Sequence, residues 1–208
     1  FGLHLPLRGE ILVDERSLQK MTSRERALKI GLVPQLHEPV FEFTVQQAVL
    51  MGRAPHLNLF ARPGPQDLRA ADAAMQAVGV HHLADRPYTR ISGGERQLTL
   101  IARGLAQGAR WLLMDEPAAH LDPHHQHQVL SAVRRLAGEG LGFVVTSHLP
   151  NHALRYADRV AFLMNGRTDL QGPPASIIDE QSLQTSYGMA FEIVQGTSGA
   201  RAAIPRDE

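Results

Sequence analysis

One stretch of the sequence, residues 91–117, most constrains how this chain can fold. It begins with Ser92 and with Glu95 three residues later, which is the pattern of a capping box, so a helix is expected to start here. Gly93 and Gly94 lie in the first turn of that helix. Glycine lowers helix stability at such positions, but it lets backbone N–H groups approach an anion at the positive end of the helix. The pattern predicts a phosphate contact where this helix begins.

The same stretch ends in a short strand followed by two acids. Residues Trp111–Met114 are all apolar, which predicts a buried strand, and Pro117 cannot continue a central strand. Asp115 and Glu116 are therefore expected at the carboxyl end of the strand, where open α/β sheets bind their ligands. Each feature has an ordinary explanation when taken alone, because capping boxes open many helices and acidic pairs are common in solvated turns.

Taken in this order, the serine-glycine-glycine helix start and the strand with its acidic pair resemble the signature motif and the Walker B strand of ATP-binding cassette (ABC) ATPases. The resemblance implies an α/β fold, a P-loop NTPase (RecA-like) core with a mostly parallel sheet and an inserted helical subdomain. It assigns residues 1–36 and 97–208 to the core, which is incomplete without the phosphate loop, and residues 37–96, including the signature motif, to the subdomain. The polar composition of residues 196–208 predicts a flexible tail.

Three further residues extend the resemblance along the chain. Gln35 follows the predicted strand Ile30–Val33 and resembles the Q-loop glutamine, which is implied to touch the catalytic metal and to sense a transmembrane partner. Asp122 lies in a segment that resembles the D-loop at the dimer interface, and with Pro123 it also forms an ordinary helix N-cap. His148 follows another predicted buried strand and resembles the switch histidine, which would donate to the γ-phosphate. Taken singly, each is more often a plain polar loop residue.

The resemblance also implies a reaction and its cofactors, ATP and Mg²⁺. Asp115 and Gln35 would hold Mg²⁺, and Glu116 would orient and deprotonate the water that attacks the γ-phosphate. Residues 92–95 and Asp122 would serve the nucleotide bound to a second copy, so the working unit is expected to be a head-to-tail homodimer. ATP would close that pair and hydrolysis would release it.

The composition restricts the partners of the chain. Lys plus Arg and Asp plus Glu number 21 each in 208 residues, so no charge excess indicates nucleic-acid binding. The absence of cysteine fits a reducing compartment. No apolar run approaches the roughly 20 residues of a membrane span. Any action at a membrane would then depend on a partner, and the resemblance implies a peripheral subunit on the cytoplasmic face, bound to transmembrane permease subunits.

The insertion carries the subfamily indication. Residues Val49–His56 and Leu83–Arg86 resemble the corresponding segments of importers for iron chelates, cobalamin, haem and molybdate. The resemblance therefore implies a periplasmic or surface substrate-binding protein as an indirect partner of this chain. Gln35 and Ser92 are 57 positions apart, too few for the long coiled coil of chromosome-maintenance relatives. A soluble ABC ATPase acting on DNA or ribosomes is therefore disfavoured, as the balanced charge also indicates.

The positions of the lysines show that the sequence contains no phosphate-loop pattern. The sequence contains only Lys20 and Lys29, and neither lies in the pattern G-x-x-x-x-G-K-[ST]. Because the sequence begins with Phe1 and not with methionine, it is expected to be a piece whose upstream part is missing, and the sequence leaves open whether a phosphate loop lies there. The 208-residue chain alone is expected to have little or no ATPase activity. An alternative is a non-catalytic, degenerate ABC module that acts as an interaction domain.

A histidine-rich run follows the acidic pair. Because two of its members share a helix face, the run suggests a metal site, although surface histidines are common and no cysteine completes a ligand set. The sequence leaves both interpretations open. The run comprises His120, His124, His125 and His127.

Overall fold

The computed structural model describes residues 6–35, 42–58, 60–197 and 199–206. The chain forms two compact units, Phe1–Thr146 and Ser147–Glu208. The boundary predicted between residues 36 and 37 lies outside the described residues.

The first unit opens with a small hairpin and a capped helix. Strands β1 (Leu12–Val13) and β2 (Arg16–Ser17) pair antiparallel. Helix α1 (Ser23–Lys29) follows, and Thr22 and Glu25 form its capping box. The capping box satisfies two backbone N–H groups that the first helical turn would otherwise leave without partners.

A parallel three-stranded sheet forms the centre of this unit. Its order is β3 (Ile30–Val33), β4 (Trp111–Met114) and β5 (Gly142–Val145), and β4 pairs in parallel with both neighbours. The register aligns the last residues of all three strands, Val33, Met114 and Val145. Residues that directly follow the three strands therefore emerge at one edge of the sheet.

Strand β5 differs from the prediction that it is buried. Val144 is 53% exposed and Val145 is 37% exposed. The reason is its position, because β5 is an end strand of the described sheet and pairs with β4 alone among the described strands. The run of β-branched residues therefore predicted a strand correctly, but it did not determine how deeply the strand lies.

The helices of the first unit pack into the largest apolar core of the described chain. Helices α2 (Val45–Leu50), α3 (Pro65–Val78) and α4 (Gly93–Ala106) supply most of it. The side chain of Arg53, in a 3₁₀ turn after α2, is buried between the other two helices. It donates to Asp67 of α3 at 2.9 Å and to the carbonyl oxygen of Ala106 at 2.8 Å. These bonds satisfy a charge that would be costly to bury alone.

Helix α5 (Pro123–Gly138) connects β4 to β5. Its buried positions Val129, Val133 and Leu136 fall three or four residues apart and join the same core. This connection makes β4, α5 and β5 a βαβ unit, the arrangement expected for a parallel sheet.

The second unit is a set of short elements around a smaller core, in which Ile178, Leu183, Phe191 and Ala203 are buried. β6 and β7 form one antiparallel hairpin and β8 and β9 form another. The elements are α6 (Pro150–Tyr156), β6 (Val160–Met164), β7 (Arg167–Gly172), α7 (Pro174–Ile177), α8 (Glu180–Tyr187), β8 (Phe191–Gln195) and β9 (Arg201–Pro205).

The end of the chain differs from the predicted flexible tail at residues 196–208. Strand β9 lies in that segment and pairs along its whole length with β8. The side-chain amide of Asn151 fixes the strand, because it donates to the carbonyl oxygen of Ala203 at 3.0 Å and accepts from its N–H at 2.7 Å. Composition alone misses these contacts, since they join residues far apart in the sequence.

Among the helices of the described part of the chain, none is both long enough and apolar enough to cross a membrane.

Candidate nucleotide site

The two acids after β4 lie at the carboxyl edge of the sheet, as predicted. The amide nitrogen of Gln35, which follows β3 after a single proline, donates to Oε2 of Glu116 at 3.1 Å. Glu116 is half-buried and Asp115 is exposed, so neither carboxylate is lost in apolar packing. The parallel register of β3 and β4 explains why two predicted site residues 81 positions apart meet here.

Sequence reasoning missed a third residue at this edge, Thr146. Its hydroxyl donates to Oδ1 of Asp115 at 2.7 Å and accepts from the backbone N–H of Glu116 at 2.9 Å. The backbone N–H of Thr146 also bonds the carbonyl oxygen of Met114, which continues the sheet pairing. The available signal was its place directly after β5, because parallel strands that are aligned end side by side.

The donor atoms at this edge suit a hard divalent cation. Mg²⁺ prefers carboxylate, amide and water oxygens, and Asp115 offers an exposed carboxylate. Since the amide nitrogen of Gln35 is engaged with Glu116, its amide oxygen is the atom available for a cation. Asp115 and Gln35 therefore fit the metal-holding role predicted for them.

The start of α4 has the predicted capping box. The N–H of Glu95 donates to Ser92 Oγ at 3.3 Å, and the N–H of Ser92 donates to Glu95 Oε2 at 2.7 Å. The bond from the backbone N–H of Ser92, together with the Ser92 side chain, lowers the pKa of Glu95 below its ordinary value. Gly93 is exposed, whereas Gly94 is buried.

Asp122 caps α5 with one carboxylate oxygen and binds a side chain with the other. Oδ1 accepts from the N–H groups of His124 at 2.9 Å and His125 at 3.0 Å. Oδ2 lies 2.5 Å from Nδ1 of the His125 ring. The hydrogen bond from that ring, with the backbone bonds, lowers the pKa of Asp122. The carboxylate is thus fixed in one orientation.

His148 belongs to the second unit, where neighbouring side chains hold its backbone. The hydroxyl of Tyr187 donates to the carbonyl oxygen of His148 at 2.9 Å. The preceding residue, Ser147, accepts from the N–H of Leu149 at 3.1 Å and lies 3.1 Å from Nδ1 of His152. Burial, and secondarily the charge of His148, lower the pKa of His152. The predicted switch residue therefore lies in a loop that is held by a tertiary hydrogen bond from Tyr187 and by local hydrogen bonds of Ser147.

The histidine-rich run does not form a metal cluster. Within the described residues, no group of three or more His, Cys, Asp or Glu side chains could hold a metal ion. His127 instead pairs with Ser131 of its own helix at 3.2 Å.

A parallel sheet with an acidic pair at the carboxyl end of one strand, a glutamine beside that pair, and a helix opened by Ser-Gly-Gly define a nucleotide-binding ATPase of the cassette class. The sequence comparison makes this specific, since the profile of the ABC transporter family matches residues 1–119. The chain belongs to the ABC transporter family, as an ATPase of that class with the P-loop NTPase cassette fold.

Curated relatives and a solved structure agree with this assignment. A hemin import ATP-binding protein HmuV of Myxococcus xanthus is 40% identical over 194 residues, covering 90% of this chain and 72% of the relative. A cobalamin import ATP-binding protein BtuD of Halobacterium salinarum is 38% identical over 204 residues, covering 98% of this chain and 50% of the relative. An inward-facing ABC transporter described as metal-chelate type matches with a TM-score of 0.80 and 33% identity, covering 86% and 73% of the two chains.

Proposed function

We propose that this protein is the ATP-hydrolysing subunit of an importer for a metal chelate or an oxyanion. Similar proteins are named for the import of hemin and cobalamin, and a similar structure is described as a metal-chelate transporter. The proposed cargo class comprises iron-siderophore complexes, cobalamin, haem and molybdate. The observation that carries the proposal is the Glu116 carboxylate, held by Gln35 at the end of β4 and next to Asp115.

The chemistry follows from the residues at the sheet edge. Hydrolysis of a phosphoanhydride needs charge neutralisation and a water positioned in line, and little covalent help. Asp115 and Gln35 would hold Mg²⁺, which would supply the charge neutralisation. Glu116 orients the attacking water and accepts its proton, because an anionic carboxylate at hydrogen-bonding distance from water is a competent general base. His148 donates to the γ-phosphate and stabilises the charge that develops there.

The proposed working unit is a head-to-tail pair of chains with ATP in the interface. Residues 92–95 and Asp122 contact the nucleotide of the second copy, and exposed Gly93 offers its backbone N–H at the positive end of α4. The pair acts on the cytoplasmic face of the membrane, bound to transmembrane permease subunits, while a substrate-binding protein delivers the cargo from the other side. Nucleic acid is not a proposed partner.

The experiment is uptake and ATP hydrolysis in proteoliposomes that contain the permease, the binding protein and a form of the protein that includes the phosphate loop. We expect Glu116→Gln to lower the hydrolysis rate at least a hundredfold while ATP binding persists, because the amide keeps the shape of the side chain but cannot accept the proton. Glu139→Gln is the matched control, since the Glu139 side chain is exposed and pairs with Arg135, four residues earlier in the sequence. The variant should keep wild-type rates.

Transport of one cargo with coupled phosphate release would establish the substrate among hemin, cobalamin, a ferric siderophore and molybdate. A protein that includes the phosphate loop and binds the permease without hydrolysing ATP would instead identify a non-catalytic interaction module. Equal hydrolysis by wild type and Glu116→Gln would contradict the role given to this carboxylate.

A further inference from the structure

The side chain of His125 lies between the first turns of α4 and α5. A Cβ atom placed on Gly94 would lie 2.3 Å from Cδ2, 2.8 Å from Cγ and 2.9 Å from Cβ of His125. All three separations are shorter than van der Waals contact between carbon atoms. The imidazole of His125 therefore lies directly on the backbone of Gly94, in space that any other residue at position 94 would fill.

The same imidazole binds the carboxylate that caps α5. Its Nδ1 lies 2.5 Å from Oδ2 of Asp122, and the backbone N–H of His125 donates to Oδ1 at 3.0 Å. A second contact joins the two turns, because a Cβ on Gly93 would lie 3.3 Å from Cδ2 of Leu121. The turn at residues 121–125 is thus packed onto the turn at residues 92–94.

The neighbouring histidines behave differently and serve as comparisons. His127 pairs with Ser131 of its own helix. His124 is exposed, and its ring meets the His125 ring edge-on with 5.5 Å between the centroids. A surface location explains these two residues, but it does not explain a ring placed on a buried glycine.

We propose that His125 is a positioning residue that couples residues 121–125 to residues 92–94. These are the two segments that the proposed function assigns to the nucleotide of the second copy, so the inference rests on that function. A ring held by Asp122 on one side and lying against Gly94 on the other makes the two turns move together. Small misplacements of groups that bind a transition state reduce rates strongly, which makes such coupling consequential.

The packing itself is tested by thermal unfolding of the full chain. Gly94→Ala should lower Tm by about 5 °C, because the added methyl overlaps the imidazole. In a His125→Ala background the same substitution should raise Tm by about 2 °C, because alanine is the better helix former once the ring is gone. In a His127→Ala background it should again lower Tm. An equal shift in the His125→Ala and wild-type backgrounds would overturn the proposed contact.

If His125→Ala does not fold, His125→Asn provides the second background. Asparagine can still donate to Asp122, but it lacks the ring over Gly94. The change in sign should therefore persist, and a uniform decrease in Tm would contradict the proposal.

The coupling is tested by ATP hydrolysis in the reconstituted transporter. We expect His125→Ala to lower kcat about tenfold and to change KM less than twofold, since the ring does not contact the nucleotide of its own copy in the proposed assembly. His125→Asn should recover part of kcat and His127→Ala should leave it unchanged. A purely structural role would lower Tm but leave kcat per folded molecule at the wild-type value, and that result would overturn the proposal.

Failure of the proposed function and failure of the proposed His125 contact would give different results. Absence of hydrolysis in the protein that includes the phosphate loop contradicts the proposed function, whereas the Tm comparison decides the contact between His125 and Gly94 without any nucleotide.

Discussion

Glu116 has a backbone φ of 43°, in the left-handed region that residues with a Cβ rarely adopt. Such a conformation persists only where surrounding contacts hold it, and it is concentrated at functional sites. Here the holding contacts are the hydroxyl of Thr146 on its N–H and the amide of Gln35 on its carboxylate. At the scale of single residues, we therefore expect Thr146 to act on ATP hydrolysis through its two acidic neighbours.

Thr146→Val tests this role because valine has nearly the shape of threonine but no hydroxyl. The N–H of Glu116 loses its acceptor and the carboxylate of Asp115 loses a donor, so both acids lose their fixed orientation. A hydrogen bond to a charged group contributes about 1.5–3 kcal/mol, so we expect kcat for ATP hydrolysis in the reconstituted transporter to fall about tenfold to hundredfold.

Thr146→Ser is the matched control, because serine keeps the hydroxyl, and its kcat should stay near the wild-type value. Wild-type turnover by the valine variant would show that the two acids need no support from this position.

At the scale of elements, several helices begin with a side chain that accepts backbone N–H groups of the first turn. The bond from the Ser92 backbone lowers the pKa of Glu95, and the corresponding bond from Thr22 lowers the pKa of Glu25. The N–H of Ser182 does the same for Asp179 at the start of α8. These carboxylates link the local start of each helix to the stability of the whole chain.

The lowered pKa of Glu95 determines how the stability of the folded chain changes with pH. The folded chain holds the pKa of Glu95 below its ordinary value of 4.5, so the stabilisation is complete above about pH 4.5 and is lost as the pH falls through the lower folded value. We expect Tm, followed by circular dichroism, to fall between about pH 4.5 and pH 3.

Glu95→Gln should reduce that acid-dependent fall, since an amide can still accept from Ser92 but does not titrate. Glu10→Gln, at an exposed position outside any cap, should keep the wild-type profile. If Tm of Glu95→Gln followed the wild-type dependence on pH down to pH 3, that result would contradict the proposed contribution of Glu95 to acid-dependent stability.

At the scale of the whole molecule, the chain supplies the acidic side of a nucleotide site and the segments proposed to reach a second copy. The phosphate-binding pattern G-x-x-x-x-G-K-[ST] does not occur in its 208 residues. In nucleotide-binding folds of this class, that loop supplies most of the β- and γ-phosphate contacts and a hydroxyl for Mg²⁺. We therefore infer that catalysis at full rate requires groups that these 208 residues do not contain.

We therefore expect the 208-residue chain, mixed with its permease, to hydrolyse ATP slowly or not at all. Phosphate release measured beside an ABC cassette that includes the loop provides the comparison. Turnover equal to that of the complete cassette would refute this expectation and would mean that other residues bind the phosphates.

The sequence alone determined the features that depend on neighbouring residues. It predicted the capping box of Ser92 and Glu95, the strand Trp111–Met114 and the N-cap Asp122, because capping and periodicity act within a few residues. The acidic pair then followed from the place where the strand ends. The family resemblance added the role of Gln35, which the structure places against Glu116.

Only the tertiary structure decided the features that depend on residues distant in sequence. Thr146 meets Glu116 across 30 positions because β4 and β5 end in register, and His125 meets Gly94 because two helix starts pack together. The exposure of β5 and the pairing of β9 likewise depend on which neighbours the fold supplies. A local pattern can specify that a strand or a helix forms, but the partners of its side chains are fixed only when distant segments come together.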